Sequence, residues 1–229
     1  MTGMLENDEN AKRISLKNIH SLGGFLMSSR QLQSPKRAEI AREFIKASSI
    51  VYVIMAVVGF EICWWYHQNV KTLLGPINHE IGVTAGIIAA AVFFLCICQR
   101  YMEMQFPSYR RFKMSLASIF SGVSLFGAVW LALLSSVAEE LLFRGALQPF
   151  LGVWVTSALF GLLHLDADGG VCAWTVWAVL AGVILGAVVN VTGSLWPAIV
   201  IHFIVNFIGI RGLSKIDLKP QLMRDPSIR

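Results

Sequence analysis

The chain has 229 residues, of which 55% are hydrophobic and only 14% charged, with a mean hydropathy of +0.63. This excludes an ordinary soluble domain and a disordered segment, and places the protein in a membrane. The net charge of +5 lies at the flanks of apolar runs rather than in a basic stripe with interleaved aromatics. It therefore indicates topology and contact with anionic membrane lipids, not nucleic-acid binding.

In chain order, residues 1–46 form a polar, basic tail without the apolar core of a cleavable signal, so the first spanning helix is expected to act as the insertion signal. Within this tail, "SPKRAEIAREFIK" predicts a short helix lying at the interface. Ser34 is its cap, Pro35 suits its first turn, and Ile40, Phe44 and Ile45 make an apolar edge. Residues 47–113 hold two spanning helices and a basic loop: the run 49–66 carries only Glu61, placed at the outer interface beside Trp64 and Trp65, and the run 81–98 carries no charge.

Residues 114–210 supply the remaining helices, through apolar runs at 114–138, 145–163 and 169–201. The last is long enough to need an internal turn, for which "TGS" at 192–194 is the candidate. Gly182 and Gly186 make a G-x-x-x-G contact surface, and Asn190 to Thr192 spell a glycosylation triplet pressed against the membrane. Residues 211–229 are a second basic tail. Lys and Arg number eight in residues 1–46, four in 100–113 and five from 211 onward, against one, Lys71, between the first two spans. The positive-inside rule makes the three clusters cytoplasmic and the crossings even in number. The expected fold is an all-α, multi-pass transmembrane bundle of about six spanning helices. Cys63, Cys96, Cys98 and Cys172 lie in or beside apolar runs and are expected to pack as small hydrophobes.

Polar residues are rare in these runs: Glu139, Glu140, Arg144, His164, His202 and Asn206 are the obvious set. An intramembrane charge costs about 2.5–3.5 kcal/mol on insertion scales, so three within six residues must be paired or face a polar cavity. Glu140 and Arg144, four apart, share a helical face and can pair. Glu139 points about 140° away from Arg144 and is free for another task. The same spacing puts Phe160 with His164 and His202 with Asn206. A break at Gly152 would leave Glu139 and His164 each about 18–20 Å from the turn at about 1.5 Å per residue, hence at one depth. The polar "LDADGG" after His164 is expected to line a cavity open to cytoplasmic water. Asp166 and Asp168 there read as loop rather than cation site.

A buried carboxylate beside an imidazole can activate water, and a second imidazole with an amide NH2 can donate to an oxyanion. That set suits hydrolysis of a peptide bond within the membrane, in a membrane-associated protein or peptide.

"EELLFRG", "FGLLH" and "HFIVN" resemble the three motifs E-E-x-x-x-R, F-x-x-x-H and H-x-x-x-N of the CAAX protease and bacteriocin-processing (Abi) family of intramembrane proteases. The resemblance covers about residues 115–210. It assigns Glu139 or Glu140 with His164 to the water and His202 with Asn206 to the oxyanion, with Arg144 and Phe160 in support. No cofactor is needed for this chemistry. Zinc held by Glu140, His164 and His202, with the other glutamate as base, is the alternative, since the family has often been described as metalloproteases. Two other readings use the same residues: a non-catalytic membrane scaffold or immunity protein, and a Glu/His proton relay in a transporter.

Overall fold

The computed structural model describes residues 34–66, 75, 80–165 and 170–216; residues 1–33 and 217–229 of the two basic tails, Lys71 and the Asp166 and Asp168 turn fall outside them. The described residues are helical, with no strand among them. The elements are α1 (Ser34–Trp65), α2 (Ile81–Gln105), α3 (Pro107–Phe120), α4 (Leu125–Glu140), a π-helical segment (Leu141–Leu147), α5 (Gln148–Leu162), α6 (Ala173–Thr192) and α7 (Trp196–Ser214). Among the described residues, five continuous helical stretches are long and apolar enough to cross a bilayer, the third being the 38 residues Leu125–Leu162. The protein is an integral membrane protein with a multi-pass helical bundle.

Two boundaries differ from the sequence reading. The interfacial lead-in and the first span are one 32-residue rod, α1, because nothing between Pro35 and Trp65 breaks the helical pattern. The apolar run 114–138 is divided at Ser121 to Ser124, where the Ser124 hydroxyl accepts from the Gly127 N–H at 3.0 Å and caps α4. What precedes that break is α3, which buries Tyr109, Ala117 and Phe120 and leaves Arg110 and Arg111 exposed. Pro107 opens α3 at a position where its missing N–H costs nothing.

The 38-residue stretch is a hairpin. Phe143 and Phe160 stand with ring centroids 5.2 Å apart, whereas seventeen residues of straight helix would separate them by about 25 Å. The reversal falls at Gly152, whose φ of 71° and ψ of 170° are open almost only to glycine. The returning arm has about ten residues, about 15 Å, half the hydrocarbon thickness. It is therefore too short to cross a bilayer by itself, and His164 follows directly on its end.

After the 165–172 connection, α6 runs back toward the Gly152 end, with Gly182 against Ser157 and Gly186 against Gln148 and Val153. These two glycines let α5 and α6 approach closely, as the G-x-x-x-G spacing anticipates. Gln148 closes the end of this contact by donating to the Gly186 carbonyl (3.1 Å) and to Asn190 Oδ1 (2.9 Å), so Asn190 has a packing role. Gly193, with φ of 69°, turns the chain into α7. α1 packs on α4 and the π segment, while α2 packs on α6 and α7, on the other flank. Ala41 of α1, Ala117 and Phe120 of α3 and Leu213 of α7 share one apolar cluster, so both ends of the described chain lie on the α3 face. The cysteines are free among the described residues, and Cys63 is fully buried.

Candidate active site

The six polar residues singled out in the sequence are delivered by four pieces of this architecture. Glu139 and Glu140 end α4, Arg144 is on the π segment, His164 follows the short returning arm, and His202 and Asn206 are two turns into α7. The widened π turn directly after the glutamates is a local irregularity of the kind that marks functional sites.

Glu140 and Arg144 form the buried pair anticipated from their spacing, with Arg144 Nη1 donating to Glu140 Oε1 at 3.1 Å and both side chains at most 1% exposed. Arg144 also donates through Nη2 to the Gly182 carbonyl on α6 (3.1 Å), and its guanidinium lies 4.6 Å from the Phe160 ring centroid. One cation thus ties the π segment to α5 and α6. Without it, Glu140 would be an uncompensated buried charge, worth about 3–5 kcal/mol of stability. Phe160 has the supporting place expected of it: buried, edge-on to Phe143 and His202 and 4.7 Å from the His164 ring.

His202 joins the two carboxylates. Its Nδ1 lies 2.7 Å from Glu140 Oε1 and its Nε2 lies 3.7 Å from Glu139 Oε2. The first is a short hydrogen bond. The second is too long for one, but close enough for a single water to touch both atoms. Glu139 Oε2 is buried with no hydrogen-bond partner, as is Glu140 Oε2.

His164 is oriented by its own helix: its Nδ1 lies 2.8 Å from the Phe160 carbonyl, and since a carbonyl only accepts, Nδ1 carries the proton. Nε2 of the neutral ring is then an acceptor. The backbone there is held by the Thr175 hydroxyl, which donates to the His164 carbonyl at 2.8 Å. His164 forms no hydrogen bond or ion pair with either glutamate among the described residues. It meets the others across a cavity lined by Phe160, His164, His202 and Asn206 and walled by Leu95, Trp174 and Trp177. The cavity's volume of about 20 Å³ is room for water rather than for a peptide.

Three residues of this site are not singled out by the sequence. Ser135, one turn before Glu139, accepts from Asn206 Nδ2 at 3.0 Å while its own hydroxyl donates to the Ala132 carbonyl at 3.2 Å. Because that hydroxyl proton is spent, Asn206 must present its NH2 to Ser135, which fixes the amide's orientation. Helical spacing from Glu139 was the signal available for Ser135. The Tyr52 hydroxyl on α1 lies within hydrogen-bonding reach of the Glu139 carboxylate, and no sequence motif announces it. Trp174 stacks on Trp177 at 4.8 Å and touches Tyr109 and Phe112 of α3, joining the cavity wall to that surface helix. Burial pushes the Tyr109 phenol well above its usual range, so it stays neutral.

Among the described residues no three His, Cys, Asp or Glu side chains converge to hold a metal ion. Glu140 Oε1 already accepts from both Arg144 and His202.

Residues 120–208 match the family model described as "Type II CAAX prenyl endopeptidase Rce1-like". The matched stretch takes in the helices that carry every motif residue. Across 90 residues the chain is 34% identical to YpbD of Bacillus subtilis (strain 168), a protein described as uncharacterized. That similarity covers 38% of this chain and 46% of the relative, so the chain matches about half the length of YpbD. No solved structure matches the chain at significance.

Proposed function

We propose that the protein is an intramembrane endopeptidase that hydrolyses a peptide bond of a membrane-associated protein or peptide, with water activated by Glu139 and His164. The observation that carries this reading is the unpartnered Glu139 Oε2, buried 3.7 Å from Nε2 of His202, a residue that itself lines a water-sized cavity together with His164 and Asn206. The Rce1-like match over residues 120–208 supports it.

The roles divide by what each group already holds. Both glutamates keep an unpartnered Oε2, but Glu140 already accepts from Arg144 and His202 through Oε1 and is therefore structural and electrostatic, whereas the free oxygen of Glu139 faces His202 Nε2 and makes Glu139 the base. Water approached by Glu139 Oε2 and by the acceptor Nε2 of His164 loses a proton as it attacks the scissile carbonyl. The resulting oxyanion takes hydrogen bonds from His202 and from the second N–H of Asn206. The proton then passes to the leaving amine. No metal enters this sequence. We place the α3 face, with its exposed Arg110 and Arg111 and the two basic tails, on the cytoplasmic side.

Comparative mass spectrometry of membrane-protein termini, in cells with the wild type or with Glu139→Ala, tests the reading. New C-termini that depend on the wild type are expected. Identical termini in both would overturn it. Metal analysis of the purified protein, with activity after chelation, tests the metal-free step: full activity is expected, and stoichiometric zinc whose removal abolishes cleavage would contradict it.

A further inference from the structure

We propose that Tyr52 is a positioning residue for Glu139: its phenol holds one carboxylate oxygen so that the other remains turned toward His202 and the water. The inference rests on the reading of Glu139 as the base. It concerns a residue of α1, outside the stretch 120–208 that matches the family model.

Four groups face the Glu139 carboxylate: Tyr52 from α1, Glu140 beside it on α4, Arg144 from the π segment and His202 from α7. Glu140 repels it, and Arg144 is committed to Glu140 and Gly182. His202 stands 3.7 Å away, beyond hydrogen-bond distance. That leaves Tyr52 as the direct hydrogen-bonding neighbour. Because Glu139 Oε2 has no partner, the oxygen that receives the Tyr52 hydroxyl is Oε1. The phenol donates and the ionised carboxylate accepts.

This contact is braced from both sides along α1. Three residues before Tyr52, Ser49 Oγ accepts from Trp130 Nε1 of α4 at 3.0 Å. Seven residues after it, nearly two full turns and so on the same stripe, Gly59 lies flat against the π segment. A Cβ there would stand 3.0 Å from Leu142 Cα and N. Cys63, one turn further on, is buried beside Gly145. α1 is therefore registered on the catalytic helix by close contacts above and below the phenol, although most of its remaining surface faces outward. Without the phenol, both Glu139 oxygens lack a partner, and the carboxylate can rotate into a direct pair with His202, closing the place where water binds.

The test uses the full chain reconstituted in lipid. Tyr52→Phe keeps the ring and removes only the hydroxyl. The expected result is a kcat for peptide release lower by about ten- to hundredfold, with KM within about twofold of wild type, as for a misplaced catalytic group. A kcat within about twofold of wild type would overturn the proposal. If the wild type releases no peptide, the protease reading fails by itself, and thermal unfolding still judges the contact. Tyr52→Phe should lower Tm in the wild-type background and leave it unchanged in a Glu139→Ala background, since the partner is then gone. An equal shift in both backgrounds would overturn the contact.

Discussion

His202 Nδ1 and Glu140 Oε1 are 2.7 Å apart, and they come from helices separated by 62 positions in the chain. This hydrogen bond holds the ring with Nε2 toward Glu139, and in the proposed mechanism Glu140 is the orienting group and Glu139 the reacting one. Glu140→Gln should keep the fold but weaken the hold on both His202 and Arg144. The expected loss in kcat is about 10–100-fold, smaller than that of Glu139→Gln, for which about 10²–10⁴-fold is expected of a missing general base. Parallel kinetics of the two variants check this ordering.

Arg144 is the structural keystone of the polar core. Arg144→Ala strands the Glu140 charge and should cost about 3–5 kcal/mol, seen as a large fall in Tm in detergent. Arg144→Lys should recover little, because a single ammonium cannot reproduce the simultaneous contacts to Glu140 Oε1 and the Gly182 carbonyl with stacking over Phe160.

Ser135 orients Asn206, which lines the cavity, from one step behind it. Ser135→Ala leaves the amide free to flip, and the expected effect is a kcat lower by about tenfold with Tm little changed. Asn206→Ala removes the oxyanion donor itself and should cost about 10²–10³-fold. Steady-state kinetics of the two single variants and the double variant check it: the double should match Asn206→Ala, since Ser135 acts through that amide.

Gly152 sets the depth of the site. Any other residue at φ 71°, ψ 170° is strained by about 1–3 kcal/mol, so Gly152→Ala should lower Tm. It should also lower kcat, because a shift of the hairpin moves His164 relative to Glu139. Thermal melts and peptide-release rates of this one variant provide the check.

The relation between sequence and structure is instructive at these same residues. The Glu140–Arg144 pair was legible because helical spacing survives the π turn well enough for a four-residue contact. The common depth of Glu139 and His164 was legible because equal counts from a glycine break translate directly into distance, and Phe143 meeting Phe160 realises that register. The division of the run 114–138 at Ser121 to Ser124 was not, since an apolar run reports hydrophobicity and not where the helix within it is interrupted. Tyr52 was hidden for a different reason: a tyrosine in a lipid-facing helix looks like any interfacial aromatic until another helix brings a carboxylate to it. The π turn itself has no sequence signature to read.

The central claim is tested most directly by peptide release from the purified full chain in lipid, normalised to folded protein, for Glu139→Ala, His164→Ala and His202→Ala against wild type. The account predicts cleavage by the wild type and a loss of about a thousandfold or more in each variant. Variants that fold and cleave within about tenfold of the wild-type rate would contradict it.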